Sequence, residues 1–300
     1  MVSNNIVHAY GEKGDIKVTD VGSFVDANGT KNIVGTIENS NRTTFQTLIG
    51  LNITTGYNNT ESHLVTEPYS KVIYPYSQVP FKFKISSSSH INSVGKPFPY
   101  QVSDANVPRY DVVRLNYSSL PRSDGSLIGF VKNIASFDIY NLTIYASAHD
   151  KTADQIDSVR SAVIPVLKAG ERVPFNVFPD PAVRSKVSFY SCFGVDLSTM
   201  NIKIKIGQNR YITSNITGLA TIKDIKADPS TGTIVIHIDN QYPVPGPLRL
   251  IIPQKLNTPM IFVTMDGIVN RNAVATTKGY TYVDLNIPMG KHRVSVSGIR

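Results

Sequence analysis

The sequence predicts an all-β protein built from tandem immunoglobulin-like β-sandwiches, and three observations carry that expectation. Apolar residues recur with period two in short bursts bounded by Gly, Asn, Asp or Pro, the signature of antiparallel strands, and helical spacing is scarce. Charged residues make up only 17% of the chain while Ser, Thr, Asn, Tyr and Val are plentiful, which favours strands over helices. Finally, Ile33-Val34-Gly35-Thr36-Ile37-Glu38-Asn39 returns as Leu127-Ile128-Gly129-Phe130-Val131-Lys132-Asn133, and the same offset of 94 residues carries Val79-Pro80-Phe81 onto Val173-Pro174-Phe175.

Taken in order, residues 1–13 form an N-terminal arm. Asn4 to Ala9 resembles the end of a signal peptide, with Val7 and Ala9 as small-residue cleavage positions; the alternative is a polar arm whose Ile6, Val7, His8 and Ala9 serve as a donor strand for a neighbour's open sheet edge. Repeat 1 spans 14–90, with Ile16-Lys17-Val18 as its first strand, Asn28-Gly29 as a hairpin turn, Thr47 to Thr54 as a middle strand and Val79 to Ile85 as a closing strand. Residues 91–108, with Pro97-Phe98-Pro99 and polar neighbours, read as a linker. Repeat 2 spans 109–198 in the same order, and Lys151 to Val166 suggests one short capping helix. The third sandwich spans 199–300, with alternating Ile202, Ile204 and Ile206, a turn at Asp228 to Gly232, and a closing strand at Arg293 to Gly298.

Chemistry-bearing patterns are sparse. Gly125 to Gly129 has the wrong spacing for a nucleophile elbow, and no Gly-rich phosphate loop opens a helix. The six histidines, at 8, 63, 90, 149, 237 and 292, form no helical zinc pair. His237 and Asp239 share a strand face, and Asp224, Asp228 and Asp239, or Asp104 and Asp111, are the groupings available to calcium, without the density of a calcium loop. The pattern therefore implies no enzyme, no catalytic residue, no cofactor and no metal site. Cys192, the lone cysteine, reads as a small buried apolar residue, the alternative being an intermolecular bridge.

A net charge of +8 is spread in ones and twos with no basic run, and Trp is absent, which argues against nucleic acid as a partner and leaves weak attraction to an anionic surface or polysaccharide. No run of eighteen apolar residues occurs, so no membrane-spanning helix is expected within the sequence. Seven Asn-x-Ser/Thr acceptor sites, at Asn28, Asn41, Asn52, Asn58, Asn116, Asn141 and Asn215, suit an exported glycoprotein.

In the last third, the stretch Ser230 to Ile236, the Leu-x-Leu-x-Ile-Pro run ending at Pro253, the Val-x-x-Asp-Gly at Val263 to Gly267 and the Ile-Pro-x-Gly at Ile287 to Gly290 together resemble one family. It is the membrane-proximal β domain of surface proteins of ammonia-oxidising archaea that end in a PEFG-type sorting signal, and the resemblance covers roughly residues 214–298. The sorting tetrapeptide and hydrophobic tail of that family are not in this sequence. Repeats 1 and 2 resemble the small FxLYD-type sandwich modules of exported prokaryotic proteins. What the resemblance implies is an extracellular, archaeal, non-enzymatic cell-surface protein, structural or adhesive. Its partners would be copies of itself in a filament or layer, or other surface proteins. The alternative is a polysaccharide-binding or accessory subunit of an exported enzyme complex.

Overall fold

The structure is a computed structural model that describes residues 15–56, 59–86, 91–118, 120–197, 202–205, 211–253, 260–271, 273–277 and 279–299. The expected all-β architecture is present: among the described residues the only helical turn is a 3-10 turn at Arg184–Lys186. No helix is long and apolar enough to cross a membrane. The N-terminal arm Ile6 to Ala9 lies outside the described residues.

The first unit contains β1 (Ile16–Val25), β2 (Lys31–Asn39), β3 (Phe45–Thr55), β4 (Thr60–Thr66), β5 (Val72–Ile73), β6 (Ser77–Ile85), β7 (Ile91–Val94) and β8 (Phe98–Asp104). One sheet runs β1-β2-β6, and in the other β3 pairs with β4, β5, β7 and β8, all antiparallel. The reading of 91–108 as a linker is therefore corrected. Its Ser and Pro content belongs to strands: Pro99 sits opposite Ile49 in β8, an edge position where the missing N–H costs no ladder bond. The next strand, β9 (Arg109–Tyr110), connects the first unit to the second, and it pairs parallel with a strand of the third unit.

The second unit repeats the order with β10 (Val113–Tyr117), β11 (Leu127–Asn133), β12 (Ile139–His149), β13 (Gln155–Arg160), β14 (Ile164–Leu167), β15 (Arg172–Val177) and β16 (Phe189–Asp196). Its sheets are β10-β11-β15 and a second one in which β12 pairs with β13, β14 and β16. The capping helix expected over Lys151 to Val166 is absent. Asp150 Oδ1 accepts the backbone N–H groups of Thr152 and Asp154 in a tight turn, and Ala153 takes a left-handed φ of 68°, so the chain reverses into β13 instead.

The third unit has β17 (Ile202–Lys205), β18 (Tyr211–Gly218), β19 (Thr221–Asp228), β20 (Thr233–Asn240), β21 (Gly246–Pro253), β22 (Phe262–Met265), β23 (Ile268–Val269), β24 (Val274–Thr277), β25 (Tyr280–Ile287) and β26 (Gly290–Ser297). One sheet is ordered β23-β22-β26-β20-β19-β9 and the other β17-β18-β21-β25-β24. Its β19-β20-β26 core matches β1-β2-β6 and β10-β11-β15 strand for strand. Alternation explains the pattern: Ile234, Ile236 and Ile238 point inward and are buried, while Thr233, Val235, His237 and Asp239 are half-exposed on the other face.

Two duplicated residues show what the repeat conserves physically. Gly35 lies opposite Phe81 and Gly129 opposite Phe175. A Cβ on Gly35 would stand 2.6 Å from Cζ of Phe81, and one on Gly129 2.5 Å from Cζ of Phe175, so each glycine is the space its phenylalanine occupies. In the third unit Ile236 lies opposite Val294, so the large side chain has changed strands. The second residue is a fully buried asparagine at the strand end. Asn39 Nδ2 donates to the carbonyls of Thr43 and Ile73, Asn133 Nδ2 to those of Phe137 and Leu167, and Asn240 Nδ2 to those of Val244 and Ile287. In each case Oδ1 accepts the N–H two residues on, at Asn41, Ala135 and Tyr242.

Units 1 and 2 meet over a buried polar surface. The outer side of the β1-β2-β6 sheet receives β13 and the outward residues of β12. Thr36 Oγ1 donates to Gln155 Oε1 at 2.8 Å, Gln155 Nε2 to the Gly35 carbonyl at 3.2 Å, and Ser158 Oγ to the Phe81 carbonyl at 2.8 Å. Lys82 Nζ lies 2.8 Å from Asp157 Oδ1, with both side chains nearly dry. Gly22 has no Cβ to block the Gln155 carbonyl, against which any side chain would collide. The third unit is tied in differently: β9 adds to the edge of β19, and Asp224 accepts from both the N–H and the hydroxyl of Ser136. The buried apolar residues of units 2 and 3 form one continuous cluster, and Tyr145 of unit 2 belongs to the cluster of unit 1.

Candidate functional site

Where the three units converge, two adjoining hollows of 530 and 440 Å³ share Tyr74, Tyr76 and Arg109 as common walls. The sequence places these residues by simple means. Tyr74-Pro75-Tyr76 is the turn before β6, closed by Ser77 Oγ donating to the Tyr74 carbonyl at 2.6 Å, with Tyr76 held at a φ of 53°. Arg109 is fixed by the β9–β19 pairing. The larger hollow is completed by Tyr110, Tyr145, Cys192 and Phe193, the smaller by Arg42 and Tyr242. Gly194 leaves the space that the Tyr145 phenol fills, since a Cβ there would strike its hydroxyl.

Electrostatically the walls combine phenols and guanidinium groups with the carboxylates of Glu38 and Asp111 in the larger hollow. Burial pushes the Tyr74, Tyr110 and Tyr145 phenols well above their ordinary value of 10, which favours the neutral form. Burial also raises Tyr242, with Arg109 opposing it. Tyr74 Oη donates to the Pro108 carbonyl at 3.0 Å, Arg42 Nε donates to Tyr76 Oη at 3.3 Å, and Tyr76 is 67% exposed. Aromatic faces beside donors and cations suit a sugar ring.

Cys192 is corrected from a buried apolar residue to a half-buried one: it lines the larger hollow with a left-handed φ of 49°, and its thiol lies 3.2 Å from Gln78 Oε1. Its neighbour Ser191 makes the one contact in the described chain that looks like a nucleophile and its base. Ser191 Oγ is 2.7 Å from His149 Nε2, and His149 Nδ1 is 3.2 Å from the Ala153 carbonyl. However, His149 is buried and stacked on Phe189 at 4.9 Å, and neither Ser191 nor His149 lines either of these two hollows. The pair fastens β12 to β16 beside the ladder.

The acidic groupings do not converge. Asp224 holds Ser136, Asp228 caps its own turn through Ser230, and Asp239 and Asp111 both face Lys223. Among the described residues no three His, Cys, Asp or Glu side chains come together. His237 and Asp239 are half-buried on one face, with Arg293 and Lys291 opposite them on β26 and Asp224 opposite His237 on β19. Of the acceptor asparagines, Asn28, Asn52, Asn116 and Asn141 are exposed, and Asn41 is half-exposed and bonded to Asp15. Asn215 lies on β18, and Asn58 lies outside the described residues.

With this geometry in place, comparison with known proteins adds no relative. No family model and no curated protein matches the chain. Sequence reasoning missed Arg109 and the tyrosine hollow, because its walls come from three units. It also missed Asn240, whose signal was visible: Ile-Val-Ile-His-Ile-Asp-Asn240 repeats the spacing of the two earlier motifs 107 residues after Asn133.

Proposed function

We propose that the chain is a non-enzymatic structural or adhesive protein of an archaeal cell surface, working outside the cell as a subunit of a filament or layer, with copies of itself or other surface proteins as partners. The observation that carries this reading is the way the units are fused. The connector between units 1 and 2 is itself a strand of unit 3, and unit 2 is docked on unit 1 through buried hydrogen bonds. Such a body transmits force between its ends without a hinge, which suits a scaffold. The surface-protein motifs in residues 214–298 and the exposed acceptor asparagines support the location. Electron microscopy of native material from the cell surface tests it: filaments or a lattice are expected, and dispersed monomers at high concentration would overturn the assembly.

A second reading is favoured by the tyrosine hollow. It makes the chain a polysaccharide-binding module or the accessory subunit of an exported enzyme, with Tyr76, Tyr242 and Arg109 holding an acidic sugar. A glycan array tests it, since binding should survive moderate salt and disappear in Tyr76→Ala with Tyr242→Ala.

A further inference from the structure

The two homologous units differ most in what covers them. In unit 1 the outer face of the β1-β2-β6 sheet is closed by unit 2, so Val34 and Thr36 are both fully buried. In unit 2 the matching positions are Ile128 and Phe130, on the outer face of the β10-β11-β15 sheet, and they are 39% and 38% exposed. These residues are larger and more apolar than their buried counterparts, and Arg172 lies over the Phe130 ring at 3.8 Å. The reverse holds for the other sheets. In unit 2 the outward residues Tyr145, Ser147 and Gln155 are buried against unit 1, whereas the matching sheet of unit 1 presents Asn52, Glu61 and His63 to solvent. Thus the chain uses one receiving face and one inserting face internally, and leaves one of each open.

We propose that these two open faces pair between copies: the outer face of the β3-β4-β8 sheet of one molecule seats on the outer face of the β10-β11-β15 sheet of the next, repeating the contact between units 1 and 2. Because the two faces are different, the contact is head-to-tail, and it propagates as a filament where its rotation does not close into a ring. Charge agrees with the choice of a second copy. The receiving face carries Arg114, Lys132 and Arg172, all exposed, and the inserting face carries Glu61 and His63 around the Phe98 and Tyr100 rings. This deepens the filament reading above and rests on it.

The experiment is sedimentation velocity of the full chain over a concentration series, with Phe130→Glu on the receiving face and Glu61→Arg on the inserting face. Both substitutions are at exposed positions, and an unchanged circular dichroism spectrum shows that each variant is folded. Each alone should weaken association at least tenfold, and an equal mixture should stop at dimers, since one good face of each kind is then available. Assembly that persists in both variants but is lost on removing residues 1–14 overturns the stacking and keeps the filament. A monomeric wild type at every concentration overturns both. Asn52 and Asn116 lie on the two faces, so glycans found on both in native assembled material would also overturn the stacking.

Discussion

Asn240 donates from Nδ2 to the carbonyl of Ile287 at 2.8 Å, joining the end of β20 to the last residue of β25 in the opposite sheet. Asn133 does the same for β11 and Leu167 of β14, and Asn39 for β2 and Ile73 of β5. Removing the side chain leaves buried backbone groups without partners, which costs about 1–3 kcal/mol for each unsatisfied group. Asn240→Leu should therefore destabilise the third unit by roughly 2–4 kcal/mol in urea unfolding. An unchanged midpoint would mean that the staple is idle.

The exchange of side chains between strands predicts a compensation. Gly129→Val alone forces a side chain into the Phe175 ring and should cost about 1–3 kcal/mol as an overpacked core. Combined with Phe175→Val, it copies the Ile236–Val294 arrangement of unit 3, and much of the loss should return. A double-mutant cycle on thermal unfolding measures that coupling, and simple additivity would refute it.

Lys82 and Asp157 bridge units 1 and 2 where water hardly reaches, with side-chain exposures of 12% and 1%. Asp157 also accepts the N–H groups of Ser158 and Asp180, so the carboxylate remains fixed in the joint without its partner if the lysine is lost. Lys82→Met should cost about 3 kcal/mol, and adding Asp157→Asn should recover part of it. Urea unfolding of the single and double variants provides the comparison.

His292 donates to Asp266 at 2.7 Å, and this bond holds the imidazolium above its ordinary value of 6.5. The same bond, with the Arg293 N–H, holds Asp266 below 3.8. The contribution of His292 is complete below pH 6.5 and is lost as pH rises through its folded value. That of Asp266 is complete above 3.8 and is lost as pH falls through its folded value. The third unit should melt highest between about pH 4 and 6.5, and His292→Gln should flatten the alkaline side of that profile. A wild-type melting temperature still rising above pH 7 would contradict the assignment.

How much of this was legible in the sequence depends on the range of each interaction. The strands of the duplicated motif, the turns at Asn28-Gly29 and Asp228 to Gly232, and the packing role of Gly35 and Gly129 follow from residues within one repeat. The helix expected at Lys151 to Val166 failed because Gln155, Asp157 and Ser158 are held extended by residues of unit 1 that lie 75 to 120 positions away in sequence. The strands within 91–108 were hidden by Ser and Pro, which an edge position tolerates. The tyrosine hollow could not be read at all, since Tyr76, Arg109, Tyr145 and Tyr242 become neighbours only when the three units close on one another.

The pairing of Tyr110 with Ile222 sets a timetable for biogenesis. A ribosome adding about 5–20 residues per second delivers Ile222 roughly 6–20 s after Tyr110. For the last part of that interval, once β16 has been made, units 1 and 2 are complete in sequence while the strand between them still has nothing to lie against. Arg109 and the walls it shares are assembled last, so a nascent chain halted before unit 3 would present a joint that is still open to chaperones and proteases.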